Sequence, residues 1–76
     1  MGNERIVIDP KIMMGKPCIR GTRIPVEHVL MELADGASFQ DIIATYPRLT
    51  TEDIAAAISY AALAVSRESQ HIESGK

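Results

Sequence analysis

The sequence predicts a mainly α fold, in which a bundle of three helices follows a short N-terminal strand and a β-hairpin. A β-branched run lies at residues 6–8, a glycine marks a tight turn between two arginines, and apolar residues then recur at helical spacing. The length of 76 residues fits one domain. We expect a single domain over residues 1–70, with a β element at 5–24, three helices at 25–69 and a polar tail at 70–76.

The hairpin loop is expected at Gly21-Thr22, because a two-residue loop of type II′ places glycine first. Ile19 would then pair with Ile24 on the buried face, and the two arginines beside the loop would lie on the exposed face. Residues 6–8 should pair with this hairpin or with the same strand of another subunit, since an isolated two-stranded ribbon is rarely stable.

The first two helices have recognisable beginnings and ends. Pro25 can occupy a first helical turn, and the glycine of Ala34-Asp35-Gly36 should end that helix. The second helix should begin after Ser38, which has Asp41 three residues further on in the manner of a capping box. Pro47 should stop the second helix, which is therefore short.

The third helix is expected to be capped by Thr50 or Thr51 and to run to about Ser69. Its apolar residues form a continuous stripe at intervals of three and four residues. The residues of this stripe are Ile54, Ala57, Ile58, Ala61, Ala62 and Val65. Met31 on the first helix is assigned to the core.

A short helix, a link of a few residues and a longer helix are typical of a helix-turn-helix. The supporting helix would be residues 38–46, and the helix offered to the major groove would start at Thr51. That start carries Glu52 and Asp53 and no cation, and such acids suit a helix N-terminus better than a phosphate backbone. We therefore expect the helix-turn-helix to serve as fold more than as DNA reader.

The segment 15–25 is the most constrained part of the chain, because it combines two glycines, two prolines and three cations with no acid. The positions given a structural role are Gly15, Pro17, Gly21 and Pro25. The candidates for binding a partner protein or nucleic acid are Lys16, Arg20, Thr22, Arg23 and, in a later link, Arg48. The alternative for the two hairpin arginines is that they are simply solvated on a tight turn.

Charge is divided unevenly along the chain. Residues 1–25 carry five basic and two acidic residues, a net charge of +3, whereas residues 26–76 carry three basic and eight acidic residues, a net charge of -5. Such a chain can pair with copies of itself or offer its basic end to nucleic acid. Hydrophobic residues make up 46% of the chain, so we expect a second copy or a different protein to cover part of its surface.

The sequence offers little for catalysis or metal binding. Cys18 and His28 lack a third group to orient the imidazole, so we expect a buried thiol and a surface histidine. One cysteine and two distant histidines do not have the spacing of a metal site. We expect no enzymatic activity, no metal and no cofactor. Because no apolar run has the length of a membrane span, we also expect a cytoplasmic protein without a membrane partner.

Several motifs together carry a family resemblance. They are Ile8-Asp9-Pro10, the segment 15–26, Gly36-Ala37-Ser38, Ile42-Ile43, Tyr46-Pro47-Arg48-Leu49-Thr50, Asp53-Ile54 and Ala57. Over residues 5–67 the chain resembles the domain-of-unknown-function family 433. That resemblance implies a homeodomain-like three-helix fold and a likeness to VapB-type antitoxins, which are encoded beside PIN-like ribonuclease toxins. It implies no catalytic residues.

We therefore expect a non-enzymatic, antitoxin-like protein that neutralises a PIN-like ribonuclease toxin by protein–protein binding, with regulation of its own transcription as a further role. The alternative is a helix-turn-helix DNA-binding transcriptional regulator without a toxin partner. The expected partners are thus a second copy, a toxin protein and DNA. The homodimer would form through the N-terminal β segment, the long helix or both.

Overall fold

A computed structural model of the chain describes residues 4–73, with side chains to residue 68. The elements in chain order are β1 (Ile6–Val7), a 3-10 turn (Met13–Gly15), β2 (Cys18–Ile19), α1 (Val26–Ala34), α2 (Phe39–Thr45) and α3 (Thr51–Glu73). The mainly helical class, with three helices and a short antiparallel sheet, is confirmed. Within the described residues, no helix is long and apolar enough to cross a membrane.

The two strands form one antiparallel ladder within the chain. Ile6 pairs with Ile19 and Val7 pairs with Cys18. The ladder ends with a hydrogen bond from the Arg20 backbone N–H to the Arg5 carbonyl, 2.7 Å long. The N-terminal strand therefore pairs with the first arm of the hairpin, which is one of the two pairings expected.

The hairpin turn lies one residue earlier than predicted. The Thr22 N–H donates to the Ile19 carbonyl at 3.0 Å, and Gly21, the third residue of this turn, has a φ of +78°. A type II turn needs glycine at that position. Ile19 does pair with Ile24, through an N–H···O bond of 3.0 Å. The return bond is missing because the Ile24 N–H donates instead to the Thr22 hydroxyl, also at 3.0 Å.

Local hydrogen bonds cap one end of each helix: the C-terminal end of α1 and the N-terminal ends of α2 and α3. α1 ends where the Gly36 and Ala37 N–H groups bond back to the last helical turn, and Gly36 has a φ of +99°. α2 begins with the predicted capping box, in which Ser38 and Asp41 exchange hydrogen bonds of 2.9 and 3.0 Å. α3 begins with the same exchange between Thr50 and Asp53, so Thr50 is the cap.

The core lies where the three helices meet β2. Its buried residues are Ile19, Val26, Val29, Ile42, Leu49, Ile54 and Ala57. The prediction that Met31 is a core residue is wrong, because its side chain is 61% exposed. The buried face of α1 is narrower than the apolar spacing of that helix suggested, and Met31 lies outside it.

The predicted apolar stripe of α3 is buried only in the first half of the helix. Ile54 and Ala57 are in the core, whereas Ile58 is 40% exposed and Val65 is 59% exposed. The stripe therefore changes from buried to exposed along α3, a difference that the spacing of its apolar residues did not predict. α3 also continues past residue 69 to Glu73, and residues 74–76 of the predicted tail lie outside the described residues.

Candidate functional site

An open depression of about 540 Å³ lies between the hairpin and the link that precedes α3. Its lining residues are Ile12, Gly21, Thr22, Arg23, Ile24 and Arg48. We call it the arginine depression. It brings together Thr22, Arg23 and Arg48, three of the five predicted binding residues, although Arg48 is 25 positions from Arg23 in the sequence.

Both arginines are carried on constrained backbone. On the hairpin, the Thr22 hydroxyl donates to the Ile19 carbonyl at 2.7 Å and accepts the Ile24 N–H, so the loop around Arg23 is held at both ends. In the link, Leu49 is buried beside Arg48, and its N–H donates to the Tyr46 carbonyl at 2.9 Å. The two guanidinium groups are exposed on supports that lose little freedom when a ligand binds.

The remaining predicted binding residues lie elsewhere. The Lys16 ammonium forms an ion pair with the Glu27 carboxylate at 2.8 Å, on a different groove from the arginine depression. That hydrogen bond and the charge of Lys16 lower the pKa of Glu27. Arg20 is exposed as the second residue of the hairpin turn, outside the lining of the depression. Thr22 lines the depression but stabilises the hairpin turn, because its hydroxyl already donates to the Ile19 carbonyl and accepts the Ile24 N–H.

All four predicted structural positions have a backbone role, and that of Gly21 is the left-handed position of the hairpin turn. Gly15 has a φ of +85°, and it closes a short left-handed stretch in which Met13 and Met14 also have positive φ. Pro17 accepts a 2.8 Å hydrogen bond from the backbone N–H of Val26, which joins the two ends of the segment 15–25. Pro25 is the N-cap of α1, one residue before the helical turn in which it was expected.

Two ion pairs connect cations of the N-terminal part to acids elsewhere in the described chain. One joins Lys16 to Glu27, and the other joins Arg5 to Asp53 at 3.0 Å. Among the described side chains, Arg23 and Arg48 take part in no such pair. Two of the five described cations outside these ion pairs therefore line the arginine depression, and the other three are Lys11, Arg20 and Arg67.

A second candidate surface follows the second half of α3. Large apolar side chains are exposed here: Ile58, Leu63 at 53% and Val65. On one side of the helix Val65 lines an apolar groove of about 230 Å³ against α1, together with Ala61 and Ala64. On the other side, Leu63 and Arg67 line a groove against β1 and Ile8. We call this the α3 surface.

The cysteine and histidine fit the inert roles predicted for them. The Cys18 side chain is 2% exposed, and desolvation by burial raises the pKa of its thiol despite the nearby charges of Arg23 and Lys16. A protonated, buried thiol is a poor nucleophile. His28 is exposed on α1. Within the described part of the chain, no three His, Cys, Asp or Glu side chains are grouped to hold a metal ion.

Sequence reasoning missed several members of both surfaces. Ile12 reaches the arginine depression only because the left-handed stretch after it turns the chain, and two methionines with positive φ leave no sequence signal. Leu63 was outside the predicted stripe of α3, and its spacing from Arg67 was the available signal, since residues four apart share a helix face.

Comparisons with known proteins place these features in a family. A family model described as "Protein of unknown function (DUF433)" matches residues 6–61. The crystal structure of a DUF433 member from Anabaena variabilis has a TM-score of 0.78 and 34% sequence identity, covering 93% of this chain and 70% of that chain.

Two curated relatives are also uncharacterised. The protein y4eO of Sinorhizobium fredii is 38% identical over 58 residues, which are 76% of this chain and 26% of that protein. A protein of Archaeoglobus fulgidus is 67% identical over 24 residues, which are 32% of this chain and 67% of that protein. This chain thus spans about a quarter of the length of the Sinorhizobium relative. Because the family model matches well over half of the chain and the Anabaena fold agrees, the chain belongs to the DUF433 family.

Proposed function

We propose that this protein acts by binding another protein, as an antitoxin-like partner that neutralises a PIN-like ribonuclease. The observation that carries the proposal is the exposure of large apolar side chains along the α3 surface. Leu63 and Val65 border grooves on two sides of α3, and a partner that packs along the helix would cover both. Their desolvation on binding is the driving force for the complex.

The chemistry of the α3 surface suits a nuclease partner. Arg67 lies beside Leu63 in the groove against β1, next to Ile8, which is 58% exposed. An apolar contact with one cation at its edge matches a protein whose active site carries carboxylates. Arginine is among the residues that contribute most to the free energy of protein interfaces, and apolar neighbours exclude water around it.

Catalysis by the chain itself has little chemical support. The buried Cys18 thiol has a raised pKa, so it does not supply a thiolate at neutral pH. The two cations that approach a depression, Arg23 and Arg48, are suited to binding an anion and not to moving a proton, because an arginine stays charged. We therefore propose a binding role without enzymatic activity.

The test is a calorimetric titration of the protein against a PIN-like ribonuclease encoded beside its gene. Leu63→Glu and Val65→Glu should each weaken binding about tenfold or more, because each places a charge in the apolar contact. Gln40→Glu is the matched control, since Gln40 is exposed on α2, lies outside the α3 surface, and its substitution adds the same charge. Circular dichroism should show the same helix content in all three variants.

Two results would contradict this proposal. One is an absence of binding between the wild-type protein and the neighbouring ribonuclease. The other is equal affinity for the wild-type protein and both glutamate variants of the α3 surface, which would remove that surface from the complex.

The second candidate function is DNA binding, either as autoregulation by the antitoxin or in a regulator without a toxin. Two observations favour it. α2, a link of five residues and the longer α3 follow one another as in a homeodomain-like helix-turn-helix, which we propose as the finer description of the fold. The arginine depression supplies unpaired positive charge beside that link. Binding to the upstream region of its own gene tests this candidate.

A further inference from the structure

We propose that the arginine depression binds backbone phosphates of duplex DNA. The protein would then hold DNA with its hairpin and the link before α3, and not by inserting the start of α3 into the major groove. This inference rests on the DNA-binding candidate function and specifies which residues make the contact.

The geometry of the depression fits phosphate. Arg23 and Arg48 enter it from two separate segments, both held by hydrogen bonds or burial, and none of its lining residues is acidic. Guanidinium groups bind phosphate oxygens through paired N–H bonds, and two of them on fixed supports can hold neighbouring oxygens without much loss of freedom. Gly21 has open space beside its Cα, so the backbone itself can approach the ligand.

The start of α3 is poorly suited to the same task. The Asp53 carboxylate there accepts hydrogen bonds from Arg5 and from the Thr50 N–H. Glu52 is exposed, and hydrogen bonds with its own backbone N–H and with neighbouring threonines lower its pKa, so it stays negative at neutral pH. A negative charge at the tip of the helix repels phosphates on both sides of a major groove. The arginine depression thus attracts the phosphates of DNA, whereas the negative charge at the start of α3 repels them.

Duplex DNA is favoured over a single strand by the lining of the depression. Proteins that bind single strands stack bases on aromatic side chains, and the lining contains only aliphatic, glycine, threonine and arginine residues. In a duplex the bases are already stacked, so cations directed at the backbone are sufficient. Such contacts position a protein on DNA without reading its sequence.

The experiment measures fluorescence anisotropy of a labelled duplex from the upstream region of the gene over a series of salt concentrations. Arg23→Ala and Arg48→Ala should each reduce the magnitude of the slope of log affinity against log salt by about 0.9, and the double variant by about 1.8. The reason is that each phosphate contact releases counterions when it forms, and each variant forms one contact fewer. Lys11→Ala is the matched control, because it removes an exposed cation that does not line the depression and should leave the slope unchanged.

The possible outcomes are distinguishable. If the duplex binds with an unchanged slope in the double variant, this inference fails while the DNA-binding function stands. If no duplex binds at low salt, both fail. Tighter binding of a single strand, or displacement of the duplex by polyglutamate and not by inorganic phosphate, would assign the depression to another class of ligand and overturn the inference. Thermal unfolding of the double variant should match the wild type, because both arginines are exposed.

Discussion

Asp53 shows how one side chain can connect distant parts of a small fold. One carboxylate oxygen accepts a hydrogen bond from the Arg5 guanidinium, and the other accepts the Thr50 N–H. The Asp53 side chain is only 12% exposed, whereas that of Arg5 is 52% exposed. The residue thus caps α3 and also fastens the start of β1 to that helix, so it has a structural role.

We predict that Asp53→Ala lowers the free energy of unfolding by about 2 kcal/mol. About half of this comes from the lost helix cap and the rest from the buried hydrogen bonds, with the partly exposed ion pair contributing little. Glu52→Ala is the control, because it removes a neighbouring but exposed acid and should cause a much smaller loss. Urea denaturation measures both, and equal stability of the two variants would show that Asp53 does not connect these elements.

The helices differ in what stabilises them: α2 depends mainly on its capping hydrogen bonds, and α3 on the side chains that it buries in the core. α2 has only seven residues and one fully buried side chain, Ile42. So short a helix is unstable by itself, and the capping box of Ser38 and Asp41 is a large part of its local support. α3 is different, because its first half is buried and its second half projects beyond the core.

The capping box of α2 predicts a dependence of stability on pH. Hydrogen bonds from the Ser38 backbone N–H and, to a smaller extent, its side chain lower the pKa of Asp41. The unfolded chain therefore takes up a proton at a higher pH than the folded chain, so this stabilisation is complete above the ordinary carboxyl range and is lost as pH falls below about 4. Glu27 and Glu52 act in the same direction.

Urea denaturation at a series of pH values measures this effect. In the Asp41→Asn variant the cap can still form but the group at position 41 no longer titrates, so the fall in stability between about pH 5 and pH 3 should be shallower than in the wild type. Parallel curves for the two proteins would show that the cap does not contribute to the pH dependence.

Elements also show what the sequence could predict. The caps at Ser38 and Thr50 were predictable because their partners lie three residues away. The hairpin turn was misplaced because the Thr22 hydroxyl takes the N–H that the type II′ loop would have paired with a strand carbonyl. The bond from Arg5 to Asp53 spans 48 residues, so no local pattern could reveal it.

The candidate surfaces were also predictable only in part, because local patterns identify residues and not the contacts between distant segments. Their charges made Arg23 and Arg48 candidate binding residues. That both side chains line one depression depends on how the link before α3 packs against the hairpin. The α3 stripe was read correctly as apolar, and its exposure depends on how far α1 and α2 extend along α3. Apolar spacing does not encode that distance, so it could not predict that Val65 is exposed.

On the scale of the whole molecule, the chain has more surface than its mass requires. Its accessible surface is 5374 Å², compared with about 4,600 Å² expected for a folded monomer of this mass. A long helix that projects beyond the core exposes more surface than a compact monomer does. β1 has only two residues, so its edge offers little to a second copy, and α3 offers more.

We predict that the isolated protein is a homodimer at micromolar concentration and that α3 provides most of the contact. Sedimentation equilibrium should give twice the mass of one chain for the wild type. Val65→Glu should shift the protein toward the monomer, whereas Gln40→Glu, on the exposed side of α2, should not. A wild-type monomer would contradict the prediction, and a dimer that is unaffected by Val65→Glu would place the contact away from α3.

The central claim is that this protein functions by covering another macromolecule with its α3 surface. The most direct measurement is the rate of RNA cleavage by the neighbouring PIN-like ribonuclease as the purified protein is added. Cleavage should fall in proportion to the added wild-type protein and stop near equimolar concentration. The Leu63→Glu variant should inhibit cleavage far less. Undiminished cleavage in a large excess of the wild-type protein would contradict it.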